Sequence, residues 1–393
     1  MIPVALTALA ALMMTHDTTA GPWIPLERYL EACVAQKAFP GGVVAVGRHD
    51  SVLFLHAFGR LDYEHRWPVT TRTVYDLASL TKVVGLTTAM MQLVEEGKVG
   101  LDTPAVRYVP AFRDSTVTVR QLLTHSSGLP AWRPFWQRVH TREEMFALVD
   151  AEPLEAPPGT RMVYSDLGAM VMTQIVENVT GERLDRYLQV HLFRPLGMRD
   201  TRYLPPASWR SRIAPTEVDT TYRHRLVRGE AHDENAAAMG GISGHAGLFS
   251  TAPNLVKFAQ LMLRTLRGES SSRRARTRTS RGDVEVHLPG GFVDSATVAL
   301  FTRVQNPALS SRALGWDTPS AGSSAGARLS PQAFGHTGFT GTSLWIDPVQ
   351  DLFVILLINR VHPSRRDEQI LEVRPRVADL AVEAATAQTR AAP

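Results

Sequence analysis

Strand-like sequence occurs near both ends of this chain, and mainly helical sequence lies between them. Apolar and β-branched runs bounded by turn-forming residues indicate strands at 41–47, 51–58, 343–347 and 352–359. Apolar residues at helical spacing flank these strands at 25–36 and 373–385. This arrangement predicts one sheet that both chain ends build together around a large insertion.

The insertion has the pattern of several helices. Helical spacing, with Gly and Pro at the starts and stops, predicts helices at 80–96, 142–149, 167–179, 184–190 and 254–266. The chain is therefore expected to have an α/β fold with a mainly helical inserted domain. We place the sheet domain in residues 21–85 and 295–393 and the insertion in residues 86–294.

Composition excludes several classes of protein. The chain has 393 residues, of which 44% are hydrophobic and 20% charged, so a large core is expected and global disorder is excluded. The net charge is only +4, and seven arginines with one glutamate between Arg264 and Arg281 account for more than all of it. Such local basicity is weak evidence for nucleic-acid binding, and none is predicted. With Cys33 as the single cysteine, no internal disulfide or cysteine-based zinc site is possible.

Three segments are expected to lie outside the packed elements. The arginine-rich stretch 264–281 has the composition of an exposed, mobile loop, and 318–330 is rich in Ser, Gly and Ala. Residues 1–20 combine an uncharged apolar run with a small-residue ending, which is typical of a signal peptide, although no Lys or Arg precedes the run. We predict export to the periplasm or medium; without a signal peptide the protein would be cytoplasmic. No later segment has the pattern of a membrane span.

The sequence Ser79-Leu80-Thr81-Lys82 is the first candidate for chemistry. Three-residue spacing at the start of a helix places the hydroxyl and the amine on one face, one turn apart. A serine becomes nucleophilic when a neighbour takes its proton, and a lysine desolvated by apolar neighbours can lose enough basicity to do so. The motif therefore predicts nucleophilic catalysis by Ser79.

A second serine, Ser324, competes for this role. The segment 322–326 fits the Gly-x-Ser-x-Gly nucleophile elbow, and Asp347 or Asp351 and then His362 follow in the order of a triad. An elbow requires a buried strand before the serine and a helix after it, and the surrounding sequence has neither pattern. We therefore expect Ser324 not to be catalytic.

Two further motifs follow Ser79 and Lys82 along the chain, Tyr164-Ser165-Asp166 and His336-Thr337-Gly338. Together the three motifs resemble the active site of the β-lactamase-related serine hydrolases, which include class C β-lactamases, D-alanyl-D-alanine carboxypeptidases and lactamase-like carboxylesterases. The segments 122–130, 194–198, 244–250 and 335–342 also resemble this family. The resemblance implies the β-lactamase/penicillin-binding-protein fold, with an antiparallel sheet flanked by helices. It implies no cofactor or metal, and a small ester, peptide or β-lactam as substrate.

The resemblance also implies a role for each motif residue. Ser79 would attack the substrate carbonyl, while Lys82 and Tyr164 would share the proton transfers, with Tyr164 favoured to activate the deacylating water. The backbone N–H groups of Ser79 and Phe339 would form the oxyanion hole. His336, Thr337 and Gly338, together with Asp166, would contact the substrate. Which of Lys82 and Tyr164 begins deprotonated stays open at this stage.

Two motif residues depart from the family pattern. Asp166 stands where an asparagine is usual, and an ionised carboxylate only accepts hydrogen bonds and favours a charged Lys82. This shifts weight towards Tyr164 as the base. His336 stands where β-lactamases of this type have lysine, and a histidine is a poor permanent anchor for a substrate carboxylate. Efficient β-lactamase activity is therefore not expected.

The remaining polar clusters are given structural roles. His232, Asp233 and Asn235 match no common metal-ligand spacing and are expected to form a loop hydrogen-bond network, and His125 and His245 are expected to be structural. The predicted function is a carboxylesterase that forms an acyl-enzyme on Ser79. The alternatives are a D-alanyl-D-alanine carboxypeptidase or penicillin-binding protein, and a sensor that is acylated without turnover.

Overall fold

The computed structural model describes residues 21–269, 274–279, 282–287 and 292–391. The predicted signal peptide at residues 1–20 lies outside the described residues. The α-helices are α1 Ile24–Ala35, α2 Thr88–Glu95, α3 Val119–Leu123, α4 Arg142–Ala151, α5 Asp166–Thr180, α6 Leu184–Leu188, α7 Glu234–Ala238, α8 Ala252–Leu266, α9 Ser295–Thr302 and α10 Ile370–Ala391. The strands are β1 Gly41–Gly47, β2 Val52–Gly59, β3 Tyr75–Asp76, β4 Arg202–Tyr203, β5 Val218–Asp219, β6 Arg225–Leu226, β7 Leu248–Ser250, β8 Arg274–Thr279, β9 Gly282–His287, β10 Phe334–Thr337, β11 Ser343–Asp347 and β12 Leu352–Ile358.

The central sheet joins the two ends of the chain, as the sequence predicts. Its strand order is β10-β11-β12-β1-β2, and every neighbouring pair is antiparallel. The connection between the ends is the β1 to β12 pairing, in which Val44 lies opposite Leu356. The predicted α/β class and the sheet built from both chain ends are confirmed.

Alternate residues of the central strands enter two different hydrophobic clusters. Val43 and Ile355 pack into the cluster that also contains α8, whereas Val44 and Leu356 pack into the cluster that contains α1 and α10. Successive side chains of a strand point to opposite faces of the sheet, so helices on both faces bury β1, β11 and β12 completely. This explains why these strands are almost continuously apolar.

Short elements and helices occupy the sequence between the two halves of the sheet. The predicted helix at 80–96 begins as a π-helical stretch, Lys82–Thr87, and continues as α2. This helix crosses residue 85, the predicted end of the first segment of the sheet domain. The domain boundaries stay a prediction. The small sheet β3-β7-β4 lies next to the start of this helix, because the Leu77 N–H donates to the Leu248 carbonyl at 2.9 Å.

The arginine-rich segment differs in part from the predicted loop. Helix α8 continues to Leu266, and β8 pairs with β9 as an antiparallel hairpin. In β8, arginine alternates with threonine or alanine, which is the two-residue period of a strand. The loop was predicted from the charge of the segment, without regard to this period. The segment 318–330 contains no helix or strand, as predicted. Among the helices of the described residues, none is both long and apolar enough to cross a bilayer.

Candidate active site

Ser79 lies in a strained turn between β3 and the helix that follows it. The preceding residue, Ala78, has φ of +45°, a conformation that a residue other than glycine adopts only when its surroundings hold it there. The buried Asp76 side chain holds it: Oδ1 accepts from the Ala78 N–H at 2.8 Å, and Oδ2 accepts from the His232 N–H at 2.7 Å. The turn and the start of the helix therefore fix the position of the serine.

The Lys82 side chain is buried and has two hydrogen-bond acceptors and one carboxylate partner. Its Nζ donates to Ser79 Oγ at 3.0 Å and to the His245 carbonyl at 3.1 Å, and it forms an ion pair with Asp166 Oδ1 at 2.6 Å. An ammonium group has three N–H donors and no acceptor. The site therefore has the geometry that satisfies a charged lysine.

The pKa of Lys82 reflects a balance between burial and its neighbours. Burial lowers this pKa, but the Asp166 carboxylate and Tyr164 raise it by more, so the net shift is upward. Lys82 is only 2% exposed, so solvent screens the interaction with Asp166 weakly. The lysine is consequently charged at neutral pH.

A buried side-chain network fixes the loop that provides the His245 carbonyl. His245 Nδ1 lies 2.7 Å from Ser243 Oγ, and its Nε2 lies 2.8 Å from Asp233 Oδ1. Asp233 also accepts from the Ala236 N–H, at the start of α7. Burial raises the pKa of Asp233, but the histidine and these hydrogen bonds outweigh it and lower that pKa. The contacts of both ring nitrogens of His245 thus hold in place the His245 carbonyl that accepts from Lys82.

The Tyr164 phenol lies between two cations. Lys82 Nζ is 4.8 Å from its ring centroid and the Arg312 guanidinium carbon is 5.2 Å from the same centroid. The rings of His125 and His336 approach the tyrosine ring at centroid distances of 4.5 and 5.7 Å. The Tyr164 hydroxyl oxygen is buried beside Lys82, whose pKa it raises, and it forms no hydrogen bond of regular geometry among the described residues, so it can exchange a proton with a reacting group.

Both histidines beside Tyr164 are held neutral. Burial lowers the pKa of His125 and of His336 well below the usual range, and the charges of Arg312 and Lys82 lower them further. His336 Nδ1 lies 2.7 Å from the Thr337 carbonyl, which only accepts, so the ring proton is on Nδ1. His336 therefore presents no positive charge to a substrate.

The turn after β10 is tied to the segment before Ser79. Thr340 Oγ1 donates to the Asp76 carbonyl at 2.8 Å, and Thr342 Oγ1 donates to the Leu77 carbonyl at 3.0 Å. A Cβ atom on Gly338 would lie 2.3 Å from the Leu77 oxygen, so this close approach requires glycine. The same turn carries Phe339, whose N–H makes no backbone hydrogen bond among the described residues.

A cavity of about 380 Å³ opens over these groups. Its lining combines apolar and aromatic surface with ionisable groups, namely Ala78, Ser79, Ala131, Trp132, Tyr164, Asp166, His232, Asp233, Glu234, His245, Ala246, Phe339 and Arg365. Arg365 is bound to two carboxylates, Glu217 Oε2 at 2.6 Å and Glu234 Oε1 at 2.7 Å. Its charge is therefore already compensated.

Several residues predicted from the sequence meet at this cavity and others do not. Ser79, Tyr164, Asp166 and Phe339 line it, and Lys82 lies directly behind Ser79. His336, Thr337 and Gly338 are not among the lining residues, and His336 is 3% exposed. Contact of these three residues with substrate stays a prediction.

Sequence analysis missed several residues around the cavity. His232, Asp233 and His245 are expected from the sequence to have structural roles, and they form hydrogen bonds beside the cavity, whereas Arg312, Trp132 and Arg365 carry no motif. Their spacing along the chain holds no signal, because the fold brings them together from separate segments.

The competing serine lies away from the cavity. Ser324 Oγ accepts a hydrogen bond from Trp345 Nε1 at 3.2 Å, within turns that contain no strand before it and no helix after it. His362 contacts the Thr216 carbonyl and Glu64 instead of a serine. No catalytic triad is assembled around Ser324 among the described residues.

One group in the described part of the chain has the spacing of a metal site. The ligand atoms of Asp62, Glu64 and His65 lie within 4.8 Å of one another, and two of these residues are exposed. Asp62 already accepts from the His65 N–H at 2.7 Å, and none of the three lines the cavity. The cluster is thus separate from the candidate site.

The fold and the site define a serine hydrolase. Residues 26–377 match the family model described as Beta-lactamase, and the chain belongs to this family. It is 33% identical over 336 residues to an Escherichia coli (strain K12) protein named "Putative D-alanyl-D-alanine carboxypeptidase", covering 76% of this chain and 72% of the relative. A Salmonella typhi protein of the same name is 32% identical over 331 residues, with the same coverage.

Solved structures share the fold at lower identity. One is EstCE1, described as a hydrolase with promiscuous acyltransferase activity, with a TM-score of 0.70 and 21% identity over 92% of this chain and 98% of that chain. Another is the octameric penicillin-binding protein homologue from Pyrococcus abyssi, with a TM-score of 0.68 and 23% identity over 93% and 77%. The predicted β-lactamase/penicillin-binding-protein fold is confirmed.

Proposed function

We propose that the protein hydrolyses carboxylic esters through an acyl-enzyme on Ser79. The observation that carries this proposal is the set of three oxygen atoms around Lys82 Nζ, namely two hydrogen-bond acceptors, one of which is Ser79 Oγ, and the Asp166 carboxylate. Because the charged lysine donates to Ser79 Oγ, the serine proton is directed elsewhere. Tyr164, with its free hydroxyl, is the neighbour that can take it in the phenolate form.

The reaction then proceeds in two steps. Ser79 Oγ bonds to the ester carbonyl carbon while its proton passes to the Tyr164 oxygen, and the N–H groups of Ser79 and Phe339 stabilise the oxyanion. The bond to the alcohol oxygen breaks, and that oxygen takes the proton from Tyr164. A water molecule next gives a proton to Tyr164 and bonds to the acyl carbon. Cleavage of the Ser79 ester returns that proton to Ser79 and releases the carboxylic acid.

The charges around the cavity favour an ester without a carboxylate. Asp166 compensates Lys82, two glutamates compensate Arg365, and His336 is neutral. Trp132, which is 38% exposed, and Phe339, which is 46% exposed, offer apolar surface for a small acyl chain. A carboxylate-bearing peptide or β-lactam would meet no uncompensated cation among the lining residues.

The test is pre-steady-state hydrolysis of p-nitrophenyl butyrate by the protein and two serine variants. Ser79→Ala is expected to abolish p-nitrophenol release, and the control Ser324→Ala to leave it within about twofold. Loss of activity in Ser324→Ala with retention in Ser79→Ala would reverse the site assignment. A single stoichiometric burst without turnover would identify the acylated sensor instead.

A D-alanyl-D-alanine carboxypeptidase is the second candidate, and the name of the curated relatives favours it. The substrate of such an enzyme ends in a carboxylate. This function therefore predicts a preference for anionic substrates, whereas the proposed esterase is expected to disfavour them. Release of D-alanine from diacetyl-L-lysyl-D-alanyl-D-alanine at a higher kcat/KM than p-nitrophenyl butyrate hydrolysis would select this function. Export is part of this second proposal, because peptidoglycan lies outside the cytoplasmic membrane.

A further inference from the structure

Two buried arginines contact the turn that carries Phe339. Arg374, in α10, donates from Nη2 to the Gly338 carbonyl at 2.5 Å and to the Thr342 carbonyl at 3.1 Å. Arg360 donates from Nε to the Phe339 carbonyl at 2.9 Å. The turn is therefore held by two guanidinium groups.

Neither of these arginines has a carboxylate partner within 4 Å in the described part of the chain. This distinguishes them from Arg365, whose charge two glutamates offset. The carboxylates of Asp367 and Glu368 partly offset the charge of Arg360, whereas no carboxylate of the described residues offsets that of Arg374, so the field of Arg374 reaches the carbonyls it contacts. Burial first, and then the charge of Arg360, lower the pKa of Arg374 to about 9, which leaves it charged at neutral pH.

The acceptor of Arg374 belongs to the same peptide unit as the proposed oxyanion donor. The Gly338 carbonyl and the Phe339 N–H share one planar, conjugated amide. A cationic donor on the carbonyl oxygen draws electron density from the amide nitrogen and makes its N–H a stronger donor. Arg360 contacts the carbonyl of the next peptide unit, so it orients the turn without acting on the Phe339 N–H directly.

We propose that Arg374 is a positioning residue that polarises the Gly338–Phe339 peptide and thereby strengthens the Phe339 N–H as an oxyanion donor. The proposal rests on the proposed function, because it requires an acyl group on Ser79. Its effect grows as negative charge develops on the carbonyl oxygen, so it lowers the transition-state energy more than it strengthens substrate binding. The expected signature is a change in kcat with KM unchanged.

The test compares Arg374→Gln and Arg374→Lys with Arg376→Gln, a matched control on the exposed face of the same helix. The acyl-enzyme is formed from p-nitrophenyl trimethylacetate labelled with ¹³C at the carbonyl, and its infrared band is recorded. A weaker oxyanion donor leaves the acyl C=O bond stronger. Arg374→Gln is expected to raise the band frequency and lower kcat about tenfold, less than loss of a whole oxyanion donor. Arg374→Lys should lie between Arg374→Gln and the parent, and Arg376→Gln should match the parent.

The possible outcomes test the role of Arg374 separately from the proposed function. No labelled acyl group on Ser79 in the parent protein would overturn the proposed function. An acyl-enzyme whose band stays at the parent position while kcat falls in either Arg374 variant would overturn the role of Arg374 and leave the hydrolase intact. If Arg374→Gln does not fold, Arg374→Lys gives the same decision, because its ammonium cannot reproduce the guanidinium contacts to both carbonyls.

Discussion

Two groups of paired charges border the cavity, and their cations differ in depth. The inner pair is Lys82 with Asp166, whose side chains are 3% and 18% exposed. The outer cluster is Arg365 with Glu217 and Glu234, in which the arginine is 36% exposed. Both compensate a cation with carboxylate, but solvent reaches the cation substantially only in the outer cluster, whose two carboxylates are 10% and 9% exposed.

This difference assigns the two groups different tasks. In the buried inner pair, the Asp166 carboxylate, together with Tyr164, reverses the effect of burial on the pKa of Lys82 and holds the lysine charged next to the nucleophile. In the outer cluster, compensation removes a positive charge from the cavity mouth and disfavours anionic substrates. The inner pair is therefore expected to control the reaction and the outer cluster to control substrate preference.

The largest expected effect is the loss of a cation from the inner pair. Lys82→Met should lower kcat/KM for p-nitrophenyl butyrate by at least about 10³-fold, because Ser79 loses its charged neighbour. Arg365→Met should change it by less than about fivefold. Circular dichroism checks that both variants fold. Equal losses in the two variants would remove the distinction between inner pair and outer cluster.

The second prediction concerns the carboxylate of the inner pair. Asp166→Asn removes the carboxylate that raises the pKa of Lys82 most, so this pKa is expected to fall. The lysine then loses its proton at lower pH, and the alkaline limb of the kcat/KM profile should move down by at least about one pH unit. A superimposable profile would show that Asp166 does not set the charge of Lys82.

A smaller effect is expected from the outer cluster. Glu234→Gln removes one of the two carboxylates that compensate Arg365, so an anionic substrate should be repelled less. KM for a p-nitrophenyl succinate monoester should fall about threefold relative to p-nitrophenyl butyrate at low ionic strength, and 0.5 M salt should erase the difference. An equal change for both esters at all salt concentrations would point to altered packing instead.

The smallest effect is a stability difference at acid pH. Burial raises the pKa of Glu217, but its bonds to His232 and Arg365 outweigh this and lower it to about 2. The stabilisation is complete above the unfolded-state value of about 4.3 and is lost as pH falls through about 2. With solvent screening taken into account, Glu217→Gln should lower the free energy of unfolding, measured with urea at pH 7, by about 1 kcal/mol. A cost that stays constant down to pH 2 would contradict the ion-pair explanation.

The sequence predicted the secondary structure of the central sheet well because local patterns determine it. The strand at 343–347 agrees with β11 of that sheet, and in the insertion the helix at 142–149 agrees with the start of α4. The prediction was wrong at 274–279, where a loop was expected from the net charge although the residues alternate with the two-residue period of a strand. It also gave no evidence of the Arg365 cluster, whose members come from three separate segments.

The same limit applies to the prediction of the active site, as Ser79 and Ser324 show. Both stand in sequences that fit a nucleophile motif, and the flanking pattern was enough to reject Ser324. No pattern, however, indicated that Arg312 lies over the ring of Tyr164 or that Arg374 reaches the Gly338 carbonyl. These contacts join residues far apart in the chain.

The sequence by itself determined the fold class and the first motif, because periodicity, turn chemistry and three-residue spacing are local properties of the chain, and the resemblance of its three motifs indicated the family. Only the tertiary structure decided the charge states that give those residues their chemistry. The Lys82 pKa depends on burial and on a carboxylate from another helix, and the neutrality of His336 depends on burial near Arg312 and Lys82. Desolvation and through-space electrostatics act between groups that folding brings together, and they leave no trace in the order of residues.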